Sequence, residues 1–140
     1  MKMRNEDVIG FVDFIMNEEV TPKLSRMRSR FVKIAKERIQ QNDEDRMEII
    51  KQYCETDEQG ELVTVTDEEG NARYKIDNMD EFNKEFGELM SEYFIVEDNE
   101  TNKEMLECVK AIVLNTNKML KGQEALQYDR WCEIVEGLVE

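Results

Sequence analysis

Val8, Phe11, Val12 and Ile15 recur at the three-and-four spacing of one helical face, which predicts a first helix from about Glu6 to Asn17. Thr21-Pro22 then punctuates the chain. Thr21 is suited to cap the next helix, and Pro22 suits its first turn, where an N–H has no partner to lose. Leu24, Met27, Phe31 and Ile34 give that second helix an inner face, and it is predicted to run to about Gln41. The next apolar set, Met47, Ile50, Tyr53 and Cys54, is separated from Ile39 by the polar run QQNDEDR. A kink, a new start at Asp43 and one long, partly exposed helix are all compatible with that gap.

After Cys54 the period changes. ELVTVT alternates β-branched residues and is followed by DEEGN and ARYKI, a hairpin signal over about residues 61–76 with Gly70 and Asn71 in its turn. Asn78 with Glu81 reads as a capping box before Phe82, Phe86, Leu89 and Met90, and YFIVE is a candidate third strand. Thr101 with Glu104 reads as another capping box, before Leu106, Val109, Ile112 and Val113, with Gly122 placed to end that helix. A last helix from about Gln123 carries Tyr128, Trp131, Val135 and Leu138 on its inner face. No internal repeat, low-complexity tract or linker is visible. The expected fold is α+β but predominantly α: one domain over 1–140, about five helices and a small β-hairpin or three-stranded element.

Charged residues make up 37% of the 140 residues and the net charge is −14. The regular spacing of the apolar residues makes this a folded chain with much solvated surface rather than a disordered one. The charge is uneven. Residues 1–40 hold nine basic and six acidic side chains (+3), residues 41–100 five and twenty (−15), and residues 101–140 five and seven (−2). Cys54, Cys108 and Cys132 are odd in number and widely spaced, so they are read as free thiols of a reducing cytoplasm. The first apolar run, VIGFVDFIM, is broken by Asp13 and fits neither a secretory leader nor a membrane span.

The chain has no histidine, which removes the Ser-His-Asp and Cys-His arrangements, the HExxH zinc site and the Glu-x-x-His di-iron motif. Its six glycines are too dispersed for a dinucleotide or phosphate loop. Aligning Gly60 or Gly70 to the turn of an EF-hand puts Thr66 or Ile76 where a bidentate Glu belongs. No catalytic residue, cofactor or metal site is therefore expected. Two charge features remain as candidate partner contacts. Arg26, Arg30 and Lys33 form a basic stripe beside the apolar face of the second helix, and Asp67, Glu68 and Glu69 crowd the hairpin turn. The stripe is expected chiefly to balance the acidic middle of its own chain, with docking of a partner as the alternative. Direct nucleic-acid binding is not expected, because a net −14 repels phosphate over about a Debye length.

VIGFVDFIMNEEVTPKLSRMRSRFVK, EFNKEFGELMSEYFIVE and ALQYDRWCEIVE together resemble a domain-of-unknown-function family of small proteins from tailed phages and prophages of Gram-positive bacteria. The resemblance spans nearly the whole chain and brings no catalytic residues with it. It implies action in the cytoplasm of an infected bacterial host, with virion association open, by binding another protein rather than a membrane. Two classes of function follow. One is a non-catalytic assembly or tail-associated factor. The other is an acidic inhibitor of a restriction, CRISPR or similar defence nuclease, whose carboxylates imitate the one phosphate per about 1.7 Å of duplex DNA.

Overall fold

The computed structural model describes residues 1–140. In chain order its elements are β1 (Lys2–Arg4), α1 (Asn5–Met16), α2 (Pro22–Tyr53), β2 (Thr64–Thr66), β3 (Ala72–Tyr74), α3 (Met79–Ser91), β4 (Tyr93–Ile95), α4 (Lys103–Leu114) and α5 (Gly122–Val135). The protein is predominantly helical, with five helices and two small antiparallel sheets. Contacts divide it into two compact units, residues 1–39 with 93–140, and residues 40–92.

The first unit is built on the predicted apolar faces. Val8, Phe11, Val12 and Ile15 of α1 are buried with Met27, Phe31, Val32 and Ala35 of α2 and with Met105, Val109, Ile112 and Val113 of α4. Phe11 lies at the centre, its ring edge-on to Phe31 at 5.7 Å and to Trp131 at 5.8 Å. Such edge-to-face pairs add to the stabilisation that burial alone provides. Gly10 permits the approach of α5: a Cβ there would stand 3.0 Å from the Trp131 ring. Tyr128 sends its hydroxyl to the Val113 carbonyl at 2.9 Å, which joins α5 to the end of α4.

Polar groups fasten the ends of these helices. Arg28 donates to the carbonyls of Ile15 (2.8 Å) and Glu18 (2.7 Å), satisfying acceptors left over at the end of α1. Arg38 donates to Asn5, a buried polar side chain, at 2.8 Å and to the Tyr93 carbonyl at 3.2 Å.

Several expectations change in three dimensions. YFIV does form a strand, but β4 pairs with the N-terminal β1 in the register Lys2↔Ile95, Met3↔Phe94, Arg4↔Tyr93. A three-residue strand carries too little periodicity to be read from KMR alone. Of the three readings open for QQNDEDR, one long helix is the one formed: the run lies inside the 32-residue α2, where Gln41 bridges to Asp45 at 3.0 Å. The run contains neither Gly nor Pro to break it. The capping box at Thr101 is not formed. Asn99 instead accepts the Asn102 N–H at 2.9 Å, and α4 begins at Lys103. That helix stops at Leu114, well before Gly122, where Asn115, Thr116 and Asn117 offer side chains that compete with helical backbone bonds. Leu138 lies beyond α5 and is 63% exposed, while Val139 turns inward in its place.

Within the second unit the end of α2, the hairpin and α3 meet. Asn78 caps α3 by accepting the Glu81 N–H, as expected. Ile50, Cys54 and Leu89 are buried, and Tyr53 meets Phe82 edge-on at 6.4 Å. The third strand segment beside the hairpin is the short stretch after α2, through bridges Cys54↔Ile76 and Thr56↔Leu62.

Replacing Trp131 by Ala should cost about 3 to 5 kcal/mol, because it empties the space that Phe11 faces. Gly10→Val should cost about 1 to 3 kcal/mol by forcing the same ring out of place. Equilibrium denaturation of both variants checks the arrangement, and a neutral Trp131→Ala would refute the core position of the ring.

Candidate functional site

The second unit holds seventeen acidic and five basic side chains, a net −12, against −2 for the first. Three of its five cations are used internally. Lys51 pairs with Glu48 at 3.5 Å, Arg73 with Asp67 at 2.6 Å and Lys75 with Glu55 at 2.7 Å. Most of the remaining carboxylates, including Glu58, Glu61, Glu68, Glu69 and Asp77, are exposed.

Backbone geometry decides where those carboxylates stand. Three strand segments close a ring of hydrogen bonds: Glu55 N–H donates to the Lys75 carbonyl at 2.9 Å, Lys75 N–H to Val63 at 2.9 Å, and Val63 N–H to Glu55 at 2.8 Å. Two turns of the same construction lead into and out of β2. Asp57 Oδ1 accepts from Gln59 and Glu61 N–H, both at 2.9 Å, and Asp67 Oδ1 accepts from Glu69 at 3.0 Å and Asn71 at 2.9 Å. Gly60 (φ 81°) and Gly70 (φ 85°) take the left-handed position that each turn requires. The signal for this duplication was DEQG at 57–60 and DEEG at 67–70, a ten-residue echo too short to read as a repeat.

Of the acidic candidates, Asp67 is therefore a turn former. The Arg73 guanidinium, followed by the Asn71 and Glu69 amides, holds its carboxyl below the usual aspartate range. Glu68 and Glu69 project their side chains to solvent. The basic candidates lie in the other unit. Arg26, Arg30 and Lys33 are exposed on α2, and none forms an ion pair. The expected neutralisation by carboxylate partners is thus not made by direct pairing. Arg26 and Arg30 instead meet the field of Glu104 on α4. That carboxyl is held below its ordinary range by the Lys23 hydrogen bond first, with Arg26 and Arg30 adding smaller effects.

The hairpin is exposed on both faces. Its register is Thr64↔Tyr74, Val65↔Arg73 and Thr66↔Ala72. Because opposed residues share a face and neighbours alternate, Thr64, Thr66, Ala72 and Tyr74 lie on one side, and Val65 and Arg73 on the other.

No group of three or more His, Cys, Asp or Glu side chains is arranged to hold a metal ion. Cys54, Cys108 and Cys132 are unpaired thiols. An open groove of about 540 Å³ in the first unit is lined in part by Glu18, Glu19 and Lys118, but Glu18 is already engaged by the Thr116 hydroxyl at 2.6 Å and Lys118 at 3.5 Å. No helix is long and apolar enough to cross a membrane. No family model matches the sequence, and no curated protein or solved structure matches it.

Two measurements probe this unit. Asp67→Ala should speed amide exchange at Glu69 and Asn71 while leaving Gln59 and Glu61, which depend on Asp57, unchanged; uniform exchange at both turns would contradict the assignment. Tyr53 donates its hydroxyl to Glu85 at 2.7 Å, which raises the phenol to about 12. A raised folded-state value means that its contribution to stability is whole below the free phenol value of about 10 and is lost as the pH rises toward about 12. Difference titration at the tyrosinate absorbance, wild type against Tyr53→Phe, should isolate that late ionisation. A phenol ionising at the ordinary value in the folded protein would remove the bond.

Proposed function

We propose that this chain is a non-catalytic, phage-encoded protein that acts in the cytoplasm of the infected host by binding a basic surface of another protein through residues 40–92. The observation that carries the reading is the concentration of a net −12 in one unit whose carboxylates are mostly exposed and whose cations are largely paired internally. Mutual repulsion among such charges opposes compaction, and it is relieved when a cationic surface is brought against them. The phage-family resemblance supplies the setting, in which the partner is a virion assembly or tail component. The same charge density supports a second reading, in which the partner is a defence nuclease and the carboxylates occupy its DNA-binding surface.

Affinity capture of the full chain from infected cells, followed by mass spectrometry, tests the proposal when run beside a variant with Glu58, Glu61, Glu68 and Glu69 changed to Gln. The expected result is a partner retained by the wild type at low salt and lost by the variant. Virion proteins would select the assembly reading and a host nuclease the mimic. A partner captured equally by both chains would overturn the role of the acidic unit.

A further inference from the structure

The hairpin does not present its charge evenly. On one face Thr64 and Thr66 stand opposite Tyr74 and Ala72, and at the base Leu62 and Ile76, both half-buried, continue the same alternation. None of these six residues is charged, although the unit around them carries twenty-two charged side chains in fifty-three residues. The opposite face has the reverse character, since Arg73 and Lys75 lie there in their ion pairs with Asp67 and Glu55. Tyr74 is 37% exposed, and Thr64, Thr66 and Ala72 are exposed beside it. Glu68 and Glu69 border it at the turn, and Asp77 follows it at the base.

We infer that the Thr64, Thr66, Ala72 and Tyr74 face of the hairpin is the contact face of this unit, and that it takes a basic polypeptide surface with an apolar or aromatic centre. The inference rests on the proposal that the acidic unit binds protein, and it names where and what. Protein interfaces are depleted of charge at their centres, enriched there in tyrosine, and polar at the rim, which is the distribution seen on this face. The rim selects the occupant. A nucleic acid, an anionic bilayer or a second copy of this unit would bring like charge against a net −12, whereas a cationic polypeptide brings the complement. Pinned by the ring of hydrogen bonds through Glu55, Val63 and Lys75, the hairpin presents its face without having to order first, which lowers the cost of binding.

The test uses the full chain and two synthetic peptides of equal length and equal positive charge. One has Tyr, Trp and Leu between its lysines and arginines, and the other has Ser and Gly in those places. The apolar peptide should bind roughly tenfold tighter, the loss that removing one anchor from an interface commonly produces. Tyr74→Ser should erase that difference, while Val65→Ser, on the opposite face, should leave it. Thr66→Lys, which places a cation on the face without touching Tyr74, should also reduce it and guards against a Tyr74 variant that misfolds, which circular dichroism would reveal. Equal affinity for the two peptides, or a difference that survives Tyr74→Ser and Thr66→Lys, would overturn the inference. If both peptides bind equally and the Glu-to-Gln variant binds neither, the acidic-unit reading stands and this face falls. Absence of binding by the wild type to either peptide would defeat both.

Discussion

Phe11 is the residue on which the first unit depends. Its ring is fully buried and meets Phe31 and Trp131 edge-on, so α1, its neighbour α2 and the distant α5 share one aromatic junction. The arrangement requires a residue with no side chain next to it. Gly10 gives Trp131 its place against α1, and a bulkier residue there would separate the rings that the rest of the core packs around. The polar fastenings at Arg28 and Arg38 then follow from that packing, because they use backbone acceptors that the helix and strand ends leave open.

The second unit is held differently. Its buried residues are few, and its order comes from hydrogen bonds: a ring through Glu55, Val63 and Lys75, two aspartate turns, and the Tyr53 hydroxyl on Glu85. Such bonds stabilise only modestly, but they define direction, which apolar burial does not. A small element can therefore display many carboxylates in defined places without a large core beneath them. In this way an acidic composition becomes a surface with charged and uncharged faces.

The ionisation shifts in the two units run away from neutrality. Glu104 and Asp67 are made stronger acids by cationic neighbours, and Tyr53 and Tyr128 are made weaker ones, so each group keeps one charge state through the neutral range.

The amphipathic faces of α1, the first half of α2, α3 and α4 were legible in the chain, because a helical period is a local property that burial preserves. The hairpin was legible for the same reason, through alternation and glycine-bearing turns. So was Trp131, although Leu138 on the same predicted face was not, since the helix ends before it reaches that residue. What only the tertiary structure decided was pairing. β4 is a readable strand, but its partner lies some ninety residues away at the N-terminus, and the third segment beside the hairpin is a two-bridge stretch with no period of its own. Asp67 and Glu68 look alike in sequence, yet one is consumed by a turn and the other is free, because the difference lies in which backbone amides point at each carboxylate. The acidic balance of the middle segment was determined by composition alone. Which of its faces is bare of charge was settled by strand register, because register assigns each side chain to a side of the sheet.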